Sequence, residues 1–219
     1  MSKMLEILIL TLVLSMTATV HADQYEASFS DVQQMLRQSV KNDEAGLSAI
    51  RQQLESVPKP ARQNVKEART LNQQGLEALK QQNYQAAVTA FQQAQQADSS
   101  DIEVTGNLGY ANLKLGQFKR AEHQLVYAIS LAPTRVSSWF NLGQVYGALN
   151  DVERATGAFA NAYRFSQNRP KTEEFLRQAL TAPENNETTR AALKRTLQLF
   201  DLPLERSVTP SPPVTAAGS

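Results

Sequence analysis

Apolar positions along this chain recur every three or four residues over most of its length, the spacing of one buried helix face. Val32, Met35, Leu36 and Val40 make one such stripe, and Leu47, Ile50, Leu54 and Val57 make the next. Asn42-Asp43 and Gly46 break the two apart, which predicts a helical hairpin over residues 28–57. Ser30 with Gln33 reads as a capping box at its start. Pro58-Lys59-Pro60 marks a boundary, where a helix is expected to restart and run on without a break past residue 68. Near the other end, Leu176, Ala179 and Leu180 form a stripe opened by Pro170, which suits a first helical turn. A turn over 181–186 separates it from Leu193, Leu197 and Phe200.

Between these two pairs the pattern repeats itself. Segments 68–101, 102–135 and 136–169 align without a gap at a period of 34. Their eighth residue is Gly75, Gly109 and Gly143, and their twentieth is Ala87, Ala121 and Ala155. The twenty-fourth is Phe91, Leu125 and Phe159, and the twenty-seventh is Ala94, Ala128 and Ala162. Each segment splits into two helical stretches around a turn. The small residues let antiparallel helices cross closely, and the large ones fill the layer between. One such pair cannot bury its apolar face alone, whereas a stack of about three can.

These columns resemble the tetratricopeptide repeat, and the third segment carries them most fully, with Trp139, Leu142-Gly143, Tyr146, Ala155, Phe159 and Ala162. The resemblance implies an all-α, right-handed solenoid of about three repeats. Residues 170–202 then serve as a degenerate fourth repeat or capping pair, since a stack needs a polar outer cap. Residues 23–59 are expected to be a helical hairpin packed on the first repeat, or a short self-association segment. Residues 203–219, with four of the nine prolines and no apolar period, read as a disordered tail.

The first 22 residues read as an export signal: Lys3, then the apolar run Ile7 to Met16, then Val20-His21-Ala22 before a cut after Ala22. The run falls short of the ~20 residues a membrane span needs. Export makes the expected location periplasmic or secreted, with no stable membrane insertion afterwards.

Composition narrows the chemistry by subtraction. With 22 basic and 21 acidic residues, the net charge of +1 supplies no broad cationic face for nucleic acid. No cysteine is present and only two histidines are, which removes thiolate sites and most zinc and Ser-His arrangements. No phosphate loop or nucleophile elbow appears, so no cofactor, metal or catalytic residue is expected. His123 lies among polar residues on a solvated face, and Asn186-Glu187-Thr188 matches a glycosylation acceptor by a pattern common by chance.

The function left is binding. The resemblance places the first helix of each repeat along a concave groove. That gives an apolar strip of Leu76, Leu79, Tyr110, Leu113 and Phe140, with Gln144 beside it and Lys80 and Lys114 at one side. A protein or peptide partner with apolar anchors fits such a strip. The residues with which some family members hold chaperone C-termini are not matched: Asn72 and Leu76 stand at those positions. The reading is a non-catalytic interaction scaffold or assembly factor of the cell envelope. The alternative is a homo-oligomer assembled through the N-terminal helices, its groove covered by its own chain.

Overall fold

The computed structural model describes residues 27–204, and within them every regular element is an α-helix. The expected signal segment and the tail from 205 onward lie outside the described residues. Helix α1 covers 27–40 and α2 Glu44–Ser56. Three antiparallel pairs come next: α3 (Val65–Lys80) with α4 (Tyr84–Ala97), α5 (Ile102–Lys114) with α6 (Phe118–Leu131), and α7 (Val136–Ala148) with α8 (Val152–Arg164). Then come α9 (Arg169–Thr181) and α10 (Glu187–Leu199).

The repeated columns do what their sizes imply. Within each pair the glycine of the first helix receives the large side chain of the second. A Cβ at Gly109 would lie 2.6 Å from Leu125, one at Gly143 would lie 2.6 Å from Phe159, and Gly75 faces Phe91 in the same way. Phe91, Leu125 and Phe159 are fully buried, as are Ala87, Ala121 and Ala155. A further column becomes visible in three dimensions. Gln82, Gly116 and Asn150, one per turn and 34 apart, all adopt left-handed backbone, with φ of 57°, 71° and 59°. The residue after each opens the second helix. Asn83 and Asp151 accept from the amides of Ala86 and Arg154, while Gln117 makes no side-chain cap.

The N-terminal hairpin departs from expectation in three ways. Helix α1 is already running at 27, so Ser30 lies inside it rather than capping it; Gln33 instead donates to the Tyr146 hydroxyl at 2.7 Å. No helix restarts at Pro60, because residues 57–64 are non-helical and α3 begins at Val65. And α2 packs on the second repeat rather than the first. The hairpin folds back over the second helices of the second and third: α2 packs on α6, and the backbone of Leu36 lies against Gly157 of α8. Arg164 donates to the Ser39 carbonyl at 3.1 Å and also contacts Asn42. The linker is stapled on its way. Lys59 donates to the carbonyls of Leu54 (2.6 Å) and Ser130 (2.5 Å), and Arg62 pairs with Asp98 (2.5 Å) and Asp101 (2.7 Å).

The C-terminal pair caps the stack but not as a fourth repeat. Helix α10 runs alongside α8 in the same direction. Thr188 meets Asn150, Thr196 meets the Thr156 carbonyl and Phe200 stacks on Tyr163. It packs on both helices of the third repeat, whereas α9 touches α8 and α10 and reaches α7 through a ring contact. Asn186 is committed to this junction: its oxygen caps α10 at Thr189 and its amide donates to the Gly147 carbonyl at 2.9 Å. That amide is therefore occupied, which weakens the glycosylation match.

Candidate functional site

The first helices α3, α5 and α7 stand side by side, and α2, α9 and α10 do not pack on α3 or α5. The hairpin covers the opposite, second-helix side, and α9 and α10 reach only the third repeat. Leu76, Leu79, Tyr110 and Leu113 are half-buried there, with Lys80 and Lys114 exposed. Leu76 and Leu79 rest on the small core of Ala87, Val88, Phe91, Leu108 and Ala111. A polar row crosses the same face: Asn72 donates to Glu103 at 3.3 Å, and Asn107 donates to Asn72 at 3.0 Å.

Two of the expected groove features behave differently. Phe140 is only 7% exposed. It sits between Phe159 (ring centres 5.3 Å) and Phe175 of α9 (4.6 Å), so the cap has taken it as a partner. Lys80 and Lys114 do not form one cationic edge. Lys80 pairs with Glu77 at 3.4 Å, and Lys114 lies 5.8 Å over the ring of Tyr84. Gln144 is half-buried at the third repeat. Gly147 is closed off by Thr189.

Part of the self-covering alternative is thereby met, but by the C-terminal cap and only over the third repeat. The N-terminal stripes meant for self-association, from Val32 to Leu54, are spent inside the chain's own core.

Beneath the hairpin lies a buried polar network. Glu122, 4% exposed, pairs with Arg154 (3.3 Å) and Lys119 (3.2 Å). Arg154 also pairs with Asp151 and stacks 4.3 Å over the ring of Tyr146. Burial first, and then the Glu122 carboxylate, push the Tyr146 hydroxyl well above its usual pKa. The hydroxyl therefore stays neutral and accepts from Gln33. This network holds α1 against α7 and α8 and reads as architecture. His123 is exposed. Among the described residues no cluster of His, Asp and Glu has a metal-binding arrangement, and no helix is long and apolar enough to cross a membrane.

A family model for the tetratricopeptide repeat matches residues 72–134 and again 107–171. Among solved structures, the chain is similar to the first tetratricopeptide domain of Spaghetti (RPAP3), bound there to an HSP90 peptide. Identity is 18%, the match covers 65% of this chain and 99% of that one, and the TM-score is 0.50. It is similar to Thermobaculum terrenum O-GlcNAc transferase at 22% identity, covering 65% of this chain but 27% of that enzyme, at TM-score 0.50. The Arabidopsis OM64 tetratricopeptide domain matches at 20% identity over 62% of this chain and 98% of its own, at TM-score 0.49. Among the described residues the fold is thus an all-helical solenoid of the tetratricopeptide type. The stretch 72–171 carries tetratricopeptide repeats, within the array that α3 to α8 form.

Proposed function

We propose that this protein is a non-catalytic interaction scaffold or assembly factor of the cell envelope, exported by its first 22 residues. It holds a protein partner as an extended or helical segment across the outer face of α3 and α5. The observation that carries this reading is the uncovered row of Leu76, Leu79, Tyr110 and Leu113. Other half-buried apolar residues occur on the described surface, Phe118 and Phe165 among them, but these four stand together on adjoining first helices. A row of half-exposed leucines and a tyrosine is suited to anchoring a partner's apolar side chains, with the Asn72–Glu103–Asn107 row fixing its backbone.

The test is crosslinked capture from the envelope fraction, comparing wild type with a Tyr110→Ala, Leu113→Ala double variant of equal fold. A partner held by the wild type and lost by the variant supports the groove. Equal capture by both moves binding elsewhere. Fractionation with N-terminal sequencing of the mature protein tests export: a chain beginning at Asp23 outside the cytoplasm is expected, and an intact Met1 inside it refutes the location.

A further inference from the structure

We infer that the groove ends in a specificity pocket, the cleft between α7 and α9. It takes one large apolar side chain of a partner protein's extended segment, flanked by carboxylates. This inference deepens the interaction reading above and rests on it.

The cleft exists because the cap is not a regular repeat. In the array, α5 and α7 each pack closely on the pair before them. Helix α9 has the sequence position of a next first helix, but α10 has taken most of the contact with the third repeat, and α9 stands off. The gap has a volume of about 690 Å³, ample for a large side chain. Val136, Phe140, Ala162 and Phe175 line it with apolar surface. Phe175 is 51% exposed although it stacks on Phe140, an unusual exposure for this molecule.

Among the described residues the two cations at its rim are unpaired, while its carboxylate is held. Glu174 is held by Arg177 (3.6 Å) and Gln178 (3.1 Å). Arg135 and Lys171 form no ion pair with any described residue. Arg135 is also the wrong residue for its place. It occupies the N-cap of α7, where the equivalent Asp101 caps α5 through the amides of Glu103 and Val104. An arginine there makes no cap and puts a cation at the positive end of a helix, so local stability is sacrificed. Such a breach of local preference is a mark of a working site. Instead the side chain lies over Gly106. Its buried Nε and the buried hydroxyl of Ser138 both lack partners on the α5 side, 3.6 and 3.5 Å from where a Cβ on Gly106 would stand, while Arg135 itself also lines the cleft. A guanidinium that pairs with no described carboxylate, beside an apolar hole with a second such cation, is complementary to an acidic segment with an apolar anchor.

The probes are capped heptapeptides with an Asp-Phe-Asp core, and Lys-Phe-Lys and Asp-Ala-Asp counterparts, titrated into the purified protein while backbone amide NMR shifts are followed. The Asp-Phe-Asp peptide is expected to shift amides of 135–141 and 171–178 and to bind at least tenfold more tightly than either counterpart. Ser137→Trp, an exposed position on the cleft wall, should abolish this, and Lys171→Glu should erase the preference for Asp over Lys; both keep wild-type helicity because neither residue is buried. Tyr110→Ala should leave the cleft shifts in place. Shifts confined to Leu76, Tyr110 and Leu113 would overturn the pocket while leaving the groove standing. Cleft shifts together with unchanged partner capture by the Tyr110→Ala, Leu113→Ala variant would do the reverse. No cleft shifts with any peptide overturns the pocket. So do cleft amides that move on deleting 205–219, or on raising protein concentration, which assign the cleft to the chain itself or to a second copy.

Discussion

Gly157 offers the sharpest test of where the N-terminal hairpin sits. A Cβ there would lie 2.6 Å from the Leu36 carbonyl oxygen and 3.0 Å from its Cα. Both are backbone atoms, so no rotamer change relieves the contact, and α1 must slide away from α8 to reach an ordinary separation. Overpacking of this kind costs ~1–3 kcal/mol, and the rigid neighbour puts it near ~3. Replacing a mid-helix glycine by alanine returns up to ~1 kcal/mol. Gly157→Ala should therefore destabilise by about 2 kcal/mol. Full undocking is the costlier route, since exposing Val32, Met35 and Leu36 forfeits ~1.5–3 kcal/mol each. The hairpin should thus stay on, displaced and strained. At this chain length each kcal/mol moves the midpoint by ~2–4 °C, so thermal unfolding followed by circular dichroism should fall by ~4–8 °C. Gly106→Ala is the control. Its nearest neighbours, Ser138 Oγ and Arg135 Nε, would be 3.5 and 3.6 Å away, so propensity alone acts and the variant should gain up to ~1 kcal/mol. If Gly157→Ala melts at or above wild type, α1 is not packed on α8 and the reasoning fails.

The repeat columns and their linker lead to four more expected outcomes. Gln82 holds a left-handed conformation that costs a non-glycine residue ~1–2 kcal/mol, so Gln82→Gly should raise stability by ~0.5–1 kcal/mol in urea melts. Gln117→Asp supplies the cap that Asn83 and Asp151 already give, and should add ~1 kcal/mol by the same assay. Phe159→Ala leaves a cavity against Gly143 and should cost ~3–5 kcal/mol. The fourth concerns pH. Burial alone raises the Asp98 pKa, but the Ser100 hydroxyl and amide and the Arg62 guanidinium outweigh it and hold the carboxyl below its usual range. A folded pKa below the unfolded one gives stability that is present above the unfolded value, about 4, and lost as pH falls through the folded one. Asp98→Asn should therefore be less stable than wild type at pH 7, with a smaller further loss on acidification; equal acid sensitivity in the two would refute the assignment.

The array was legible because its constraints are local and repeated. Gly109 and Leu125, or Gly143 and Phe159, meet within one repeat, so a fixed period exposes their pairing. The left-handed column was hidden by Gln82, which has no preference for that backbone, although Gly116 and Asn150 do. The hairpin was a different problem. Its stripes at Val32–Leu36 and Leu47–Leu54 announce burial but not the surface they bury against. That information sits in Gly157, a single departure inside a helix far along the chain. Groove residues suffered likewise. The repeat position of Phe140 says which way it points, while Phe175, outside the repeat, decides that it is covered. The signal for Arg135 was present as a basic residue at a capping position, but only the missing partner over Gly106 gives it meaning.

The folded-back hairpin also sets an order of events during synthesis. Arg164 and Ser39 touch across a separation of 125 residues. Translation at ~5–20 residues per second opens a delay on the order of ten seconds between making the stripe of Val32, Met35 and Leu36 and making the helix that covers it. Helices α1 and α2 leave the ribosome before the array and are thus among the last described elements to find their place, and whatever handles the nascent chain meets that bare stripe before α8 exists.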